Sequence, residues 1–100
     1  MSSRKPFQRK VALITGSGRG IGRAIACHFA DLGADIVVNF FRNRKPAQET
    51  VAAIEDLGQR AHLVKANVGE IEDIDFLISE TENAYGGLDF LISNAGSGFN

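Results

Sequence analysis

Four glycines lie close together near the start of the chain, in Thr15-Gly16-Ser17-Gly18-Arg19-Gly20-Ile21-Gly22. Glycine permits tight turns and lets the main chain approach a phosphate group without an intervening side chain. A helix that begins in such a loop adds unpaired N–H groups and the positive end of its dipole. A flexible surface turn has the same composition, but here an apolar run precedes the octet and a helical pattern follows it. We therefore predict a dinucleotide site whose loop contacts are Gly16, Ser17, Gly18, Arg19, Gly20, Ile21 and Gly22.

The residues after the second apolar run indicate which dinucleotide is preferred. NAD-binding loops of this kind are followed, about 20 residues on, by an Asp or Glu that accepts hydrogen bonds from the ribose 2′-hydroxyl. Here the segment reads Asn39-Phe40-Phe41-Arg42, without a carboxylate. The guanidinium of Arg42 suits a 2′-phosphate, and Arg19 is placed to approach the same group. We predict NADP(H), with Phe41 and Arg42 as contacts; the alternative is a solvated loop formed by Arg42, Arg44 and Lys45.

Other side chains that often carry chemistry are scattered along the chain. Tyr85 has Asp89, and not a lysine, four positions later, so it is predicted to be a packing residue. His28 and His62 each lack a second ligand at metal spacing, and Cys27 has no positioned base. We therefore predict neither a catalytic nor a metal-ligating residue within these 100 residues.

Four short apolar runs supply the predicted strands, at residues 11–15, 35–40, 61–66 and 88–92. They lack strict polar alternation, as expected of parallel strands that are buried on both faces. Helical spacing separates them, which predicts an α/β fold of the order β-α-β-α-β-α-β. This is the first half of a Rossmann-type doubly wound parallel sheet. Strands ordered three, two, one, four would leave the fourth at an open edge, which we expect more chain or a partner to cover.

The three predicted helices each carry an apolar stripe. In the first helix the stripe ends at Gly33, in the second it lies between Pro46 and Gly58, and the third helix closes at Gly86 and Gly87. The inward residues are predicted to be Gly22, Ile25, Ala26 and Phe29, then Ala47, Val51 and Ile54, then Ile71, Ile74 and Ile78.

Composition limits the remaining function classes. The apolar share of 44% supports a packed core, and a formal charge of −1 gives no overall field for nucleic acid or anionic membranes. Residues 1–10 are predicted to be a polar tail, and residues 11–100 an incomplete dinucleotide-binding domain. A single cysteine agrees with a reducing cytoplasm.

The motifs resemble those of the short-chain dehydrogenase/reductase family over nearly the whole chain. The family pattern TGxxxGxG is matched by Thr15, Gly16, Gly20 and Gly22. Asn67-Val68 stands where the family has an adenine-binding Asp-Val pair. Ser93-Asn94-Ala95-Gly96 occupies the place of the family's Asn-Asn-Ala-Gly sequence. The resemblance therefore adds Asn67, Val68, Asn94, Ala95 and Gly96 to the predicted cofactor contacts, and it points to the NADPH-dependent acyl-carrier-protein reductases of the enoyl or 3-oxoacyl branch.

The resemblance also implies a reaction. Family members transfer hydride from nicotinamide to a carbonyl or an activated C=C bond, with a Tyr donating the proton, a nearby Lys lowering the pKa of that Tyr, and a Ser orienting the substrate. None of these three can be assigned here, so we expect them beyond Asn100 and expect this chain alone to be inactive. A small-molecule or acyl-carrier-bound substrate, a role in fatty acid biosynthesis and a homotetramer are likewise implied. The alternative is a non-catalytic dinucleotide-binding or interaction module.

Overall fold

Four parallel strands lie side by side in the order β3-β2-β1-β4 in a computed structural model that describes residues 4–94. Their bounds are β1 (Val11–Ile14), β2 (Asp35–Phe40), β3 (Ala61–Lys65) and β4 (Phe90–Ile92). The helices α1 (Gly20–Asp31), α2 (Arg44–Asp56) and α3 (Ile71–Tyr85) connect them in turn. The predicted half of a doubly wound α/β fold is therefore confirmed, together with its strand order.

The sheet is covered on both faces by apolar side chains. One cluster joins the sheet to α1 and α2, and it includes Ile14, Ile36, Ala26 and Ile54. The other joins the sheet to α3 through Leu13, Val37, Val64 and Leu77. Alternate residues of β1 and β2 thus belong to different clusters, because successive side chains of a strand point to opposite faces. This explains why apolar residues follow one another along both strands without polar alternation.

The register brings the carboxyl ends of all four strands to one edge of the sheet. Ile14 pairs with Val38 on one side and with Ile92 on the other, and Phe40 pairs with Lys65. The segments that follow the strands therefore emerge beside one another. Ligands of open α/β sheets bind at this edge, where the chain reverses direction across the sheet.

Helix α3 differs from the prediction in the residues that it buries. Ile71 and Ile74 were expected to face inward, yet their side chains are 74% and 40% exposed. The buried residues are Leu77 and Thr81, one helical turn apart. Within residues 4–94 the apolar contacts of α3 thus begin further along the helix than the predicted stripe. In α2, Thr50 is fully buried and the predicted Val51 is half-buried.

The opposite edge, at the amino ends of the strands, is closed by aromatic packing. Phe7 lies between Phe29 of α1 and Phe90 of β4, with ring centroids 5.2 and 4.7 Å away. The Phe7 N–H also donates to the carbonyl oxygen of Leu32 at 2.9 Å. The amino-terminal segment is thus attached to this edge. No helix in the described range is long and apolar enough to cross a bilayer.

Candidate dinucleotide-binding site

The glycine loop connects β1 to α1 in a conformation that needs glycine. Gly16 and Gly20 have φ values of 63° and 62°, in the left-handed region. At Gly22 the constraint is space, because a Cβ atom there would lie 2.2 Å from the Gly16 carbonyl oxygen. The loop therefore folds back on the first turn of α1, as the spacing of the glycines predicts.

Helix α1 begins at Gly20 with its amino end uncapped by a side chain. Arg19 occupies the N-cap position and makes no capping hydrogen bond. The N–H groups of Gly20, Ile21 and Gly22 have no acceptor within the helix, since a helix leaves its first donors unsatisfied. Ile21 is 73% exposed here although it is apolar. Unused donors, a positive dipole end and an apolar side chain suit a phosphate-bearing ligand with an apolar portion.

Buried polar contacts hold the underside of the loop. The Gly16 N–H donates to Asn39 Oδ1 at 3.0 Å, and the Asn39 N–H donates to Ser17 Oγ at 3.0 Å. Ser17 Oγ in turn donates to the Ile14 carbonyl oxygen at 2.7 Å. Ser17 is fully buried, so its side chain supports the loop from below. The sequence predicted Ser17 as a cofactor contact, and the structure gives its hydroxyl this supporting position.

A second set of contacts joins the loop to α2. The Gly18 carbonyl oxygen accepts from Arg23 Nη2 at 2.9 Å and from Thr50 Oγ1 at 3.0 Å. Arg23 Nη2 also donates to the Pro46 carbonyl oxygen at 2.9 Å, in the first turn of α2. The loop and the start of α2 are thus held at a set separation. Arg42 lies just ahead of that helix.

Arg42 lies on the segment between β2 and α2, Arg44 is the first residue of α2, and both are exposed. The Arg42 guanidinium lies 5.7 Å from the Phe41 ring centroid, and that of Arg44 lies 4.8 Å from the ring of Phe40. Within residues 4–94 neither arginine has a carboxylate partner. Stacking on a ring restrains a guanidinium while leaving its N–H donors available. Both side chains are therefore able to meet an added phosphate.

Asn67 and Val68 follow β3 in a short turn. The Gly69 N–H donates to Asn67 Oδ1 at 2.9 Å, and the Asn67 N–H donates to Asp73 Oδ2 at 2.6 Å. Asp73 belongs to the acidic first turn of α3, so that turn also anchors this segment. Both Asn67 and Val68 are half-buried at the same edge as the glycine loop.

Asn94 contacts the glycine loop directly. Its N–H donates to Thr15 Oγ1 at 2.9 Å, and its Nδ2 donates to the Gly16 carbonyl oxygen at 3.2 Å. Ala95 and Gly96, the other residues predicted on this segment, lie outside the described residues. The structure therefore brings together the loop, Phe41 and Arg42, Asn67 and Val68, and Asn94, one group after each strand.

Residues for which the sequence predicted no catalytic or metal-binding role lie away from this edge. Tyr85 donates to the Ile36 carbonyl oxygen at 3.3 Å, and burial raises the pKa of its phenol to about 12. His62 lies 3.1 Å from Glu80, and burial raises the pKa of the Cys27 thiol. In the described part of the chain, no three His, Cys, Asp or Glu residues are grouped so as to hold a metal ion.

A parallel sheet in this order, with a glycine loop between its first strand and helix, is typical of α/β dinucleotide-binding domains. The chain belongs to the short-chain dehydrogenase family: residues 10–100 match the family described as short chain dehydrogenase. This finding confirms the family resemblance, whereas it does not distinguish the acyl-carrier-protein reductase branch.

Curated relatives are similar over most of this chain. A short chain dehydrogenase of Emericella nidulans is 45% identical over 90 residues, which cover 90% of this chain and 34% of the relative. A tetrahydroxynaphthalene reductase of Pyricularia oryzae is 46% identical over 90 residues, covering 90% of this chain and 32% of the relative. The chain thus spans about a third of the length of the curated relatives that it matches.

Solved structures share the fold. A short chain dehydrogenase from Burkholderia cenocepacia, solved in complex with NADP, superposes with a TM-score of 0.87 at 40% identity, covering 94% of this chain and 38% of its own. A hydroxysteroid dehydrogenase from Escherichia coli gives a TM-score of 0.86 at 34% identity, covering 91% and 38%.

Three residues that support the glycine loop were not predicted from the sequence: Arg23, Asn39 and Thr50. Asn39 left one signal, because it is a polar residue inside an otherwise apolar strand. Arg23 and Thr50 left none, since an arginine and a threonine are ordinary residues in a helical segment. Their importance comes from the packing of α1 against α2, which spacing along one helix does not reveal.

Proposed function

We propose that this chain forms the NADP(H)-binding part of a short-chain reductase. One observation carries the proposal: the carboxyl edge of the sheet presents the uncapped amino end of α1 beside an exposed arginine, and β2 ends without a carboxylate. Main-chain N–H groups suit a diphosphate, and an arginine suits a 2′-phosphate. NADP in the Burkholderia cenocepacia relative supports the same preference.

The residues of this chain would bind and orient the dinucleotide. Gly20, Ile21 and Gly22 would hold the diphosphate, Arg42 the 2′-phosphate, and Asn67 with Val68 the adenine. Asn94 would support the loop from the β4 side through its bonds to Thr15 and Gly16. When bound, the cofactor supplies the hydride for reduction of a carbonyl or an activated C=C bond.

We propose that none of the described residues transfers the proton of the reaction. A proton donor at the reaction centre needs a pKa near the working pH, and Tyr85, with a pKa of about 12 at the far edge, is unsuited to that task. We therefore expect the 100 residues alone to bind NADPH without turning over a substrate.

Names of the relatives favour one substrate class. One curated relative is named a tetrahydroxynaphthalene reductase and others are named hydroxynaphthalene reductase-like proteins, which favours a ring carbonyl of a hydroxylated bicyclic compound. An acyl thioester, which the family resemblance implies, is the second candidate. A tetrameric assembly and a cytoplasmic location stay predictions.

Calorimetric titration with NADPH and with NADH tests the cofactor proposal. We expect tighter binding of NADPH, and equal affinities would contradict the assignment of Arg42. Oxidation of NADPH by the protein at its natural length is then followed with a hydroxynaphthalene-derived ketone and with an acyl thioester. Faster oxidation with the ketone would support the ring-carbonyl class, and faster oxidation with the thioester would overturn it.

A further inference from the structure

Asn39 occupies an unusual position for a polar side chain. It lies in β2, is only 2% exposed, and faces the same side of the sheet as Val64, its partner in β3. Burying a carboxamide costs free energy unless its donors and acceptor all find partners. Asn39 meets that condition, and its partners belong to three separate segments.

The first segment is the glycine loop, which makes three hydrogen bonds with Asn39. Gly16 N–H donates to Asn39 Oδ1, Ser17 N–H donates to the Asn39 carbonyl oxygen, and Asn39 N–H donates to Ser17 Oγ, each at 3.0 Å. All three are buried. They determine the path of the main chain just before the amino end of α1.

The other two segments are the carboxyl ends of β2 and β3. Asn39 Nδ2 lies 3.2 Å from the Ala66 carbonyl oxygen, and 3.4 Å from those of Val64 and Phe40. Ala66 directly precedes Asn67 and Val68, and Phe40 directly precedes Phe41 and Arg42. One carboxamide therefore touches the main chain beside each proposed subsite for diphosphate, 2′-phosphate and adenine.

We propose that Asn39 is a positioning residue that sets dinucleotide affinity by holding these three segments in their binding arrangement before the ligand arrives. The inference rests on the proposed NADP(H) function. Asn39 is not among the residues proposed to contact the dinucleotide, so its effect on affinity would be indirect. A preformed site binds more tightly because the ligand does not have to order it.

The substitution Asn39→Asp tests this with almost no change in shape. The Gly16 N–H keeps an acceptor, while the new oxygen faces the carbonyl oxygens of Phe40, Val64 and Ala66. Near pH 8 we expect the affinity for NADPH to fall at least about tenfold, which is about 1.4 kcal/mol. Protonation of the buried carboxyl at pH 5.5 restores a donor, so most of the affinity should return there.

Gln59→Glu is the matched control at the opposite edge of the sheet. Gln59 Nε2 also donates to two main-chain carbonyl oxygens, those of Gly33 at 2.8 Å and Ala34 at 3.2 Å. We expect this variant to lower the melting temperature while leaving NADPH affinity within about twofold. Other titratable groups lie on the neighbouring elements: Asp35, His62, Lys65, Asp73 and Glu80. Because wild type and N39D share these groups, the pH dependence of NADPH affinity in wild type serves as the reference for N39D.

The measurements are NADPH titrations at both pH values and amide hydrogen exchange of Gly16 and Ser17 without ligand. Faster exchange at both amides in N39D, with the pH-dependent loss of affinity, supports the proposal. If wild type binds NADPH and N39D binds within about twofold at both pH values, the inference is overturned and the proposed function stands. A folded wild type that does not bind NADPH overturns both.

Two further outcomes are decisive. A Q59E variant that loses as much affinity as N39D overturns the inference, because a general loss of stability then explains both. If N39D does not fold, Asn39→Ser replaces it, because a serine side chain is too short to bridge the three segments and buries no charge. We expect N39S to weaken NADPH at least about threefold, and an unchanged affinity would overturn the inference.

Discussion

The two edges of the sheet are built from the same strands but held by different interactions. At the carboxyl edge, side chains such as Asn39 and Asn94 hydrogen-bond to the main chain of the glycine loop. At the amino edge, Phe7, Phe29 and Phe90 pack against each other, and Arg60 pairs with Asp35 at 2.6 Å. Polar support leaves main-chain donors at defined positions, whereas the aromatic cluster contributes apolar contacts and no hydrogen-bond donors. We therefore expect substitutions at the carboxyl edge to change mainly the affinity for NADPH, and substitutions at the amino edge to change mainly the free energy of unfolding.

Gly22→Ala should give the largest loss of binding. The added Cβ meets the Gly16 carbonyl oxygen at 2.2 Å and Asn94 Nδ2 at 2.7 Å, so the loop must move. We expect NADPH affinity to fall roughly 100-fold or more, about 2.7 kcal/mol. Gly87→Ala is the control, because a Cβ there meets no atom within 4 Å. Similar losses in both variants, measured by calorimetry, would contradict the geometry of the loop.

Phe90→Ala should act on stability. Phe90 contacts both Phe7 and Phe29, and the substitution should lower the free energy of unfolding by about 2 kcal/mol, less than at a fully buried phenylalanine. NADPH affinity of the folded fraction should stay within about twofold of wild type. Urea unfolding and titration measure the two quantities. A tenfold loss of NADPH affinity without a loss of stability would contradict the expectation that the amino edge affects stability and not affinity.

Arg42→Ala should change selectivity between the two dinucleotides. We expect roughly tenfold weaker NADPH binding, about 1.4 kcal/mol, with little change for NADH, since only NADPH carries the 2′-phosphate. Arg44→Ala is the comparison, because Arg44 is also exposed and also stacks on a phenylalanine. Equal losses of affinity for NADPH and NADH in R42A would contradict the assignment of Arg42 to the 2′-phosphate.

Tyr85→Phe should give the smallest effect, visible only at high pH. Its native pKa of about 12 lies above the usual value near 10, so the neutral phenol is favoured in the folded state. Stability from this group is therefore complete below pH 10 and is lost as the pH rises towards 12. Because the ring is partly exposed, we expect about 1 kcal/mol, seen as a steeper fall in wild type than in Y85F. Parallel falls in both proteins would show that Tyr85 contributes nothing.

The sequence predicted the strands and the segments that follow them because both leave local patterns, and the alternation of strands with helices indicated the fold class and its strand order. Apolar runs gave the strands, and the glycine spacing placed the loop that Gly22 closes. Helix α3 was harder, since Ile71 and Ile74 have helical spacing, yet the helix buries Leu77 and Thr81 against the rest of the fold. Asn39 and Thr50 were missed as supports because their partners are 23 and 32 residues away in sequence. Such contacts follow from tertiary packing and leave no local pattern.

The most direct test of the binding edge is a titration of the isotopically labelled protein with NADPH, followed through its backbone amide resonances. We predict that the amides of residues 16–22, Asn67, Val68 and Asn94 shift with ligand concentration, while those of Phe7, Phe29 and Tyr85 do not. Shifts confined to the amino edge, or none at the glycine loop under saturating NADPH, would contradict the account.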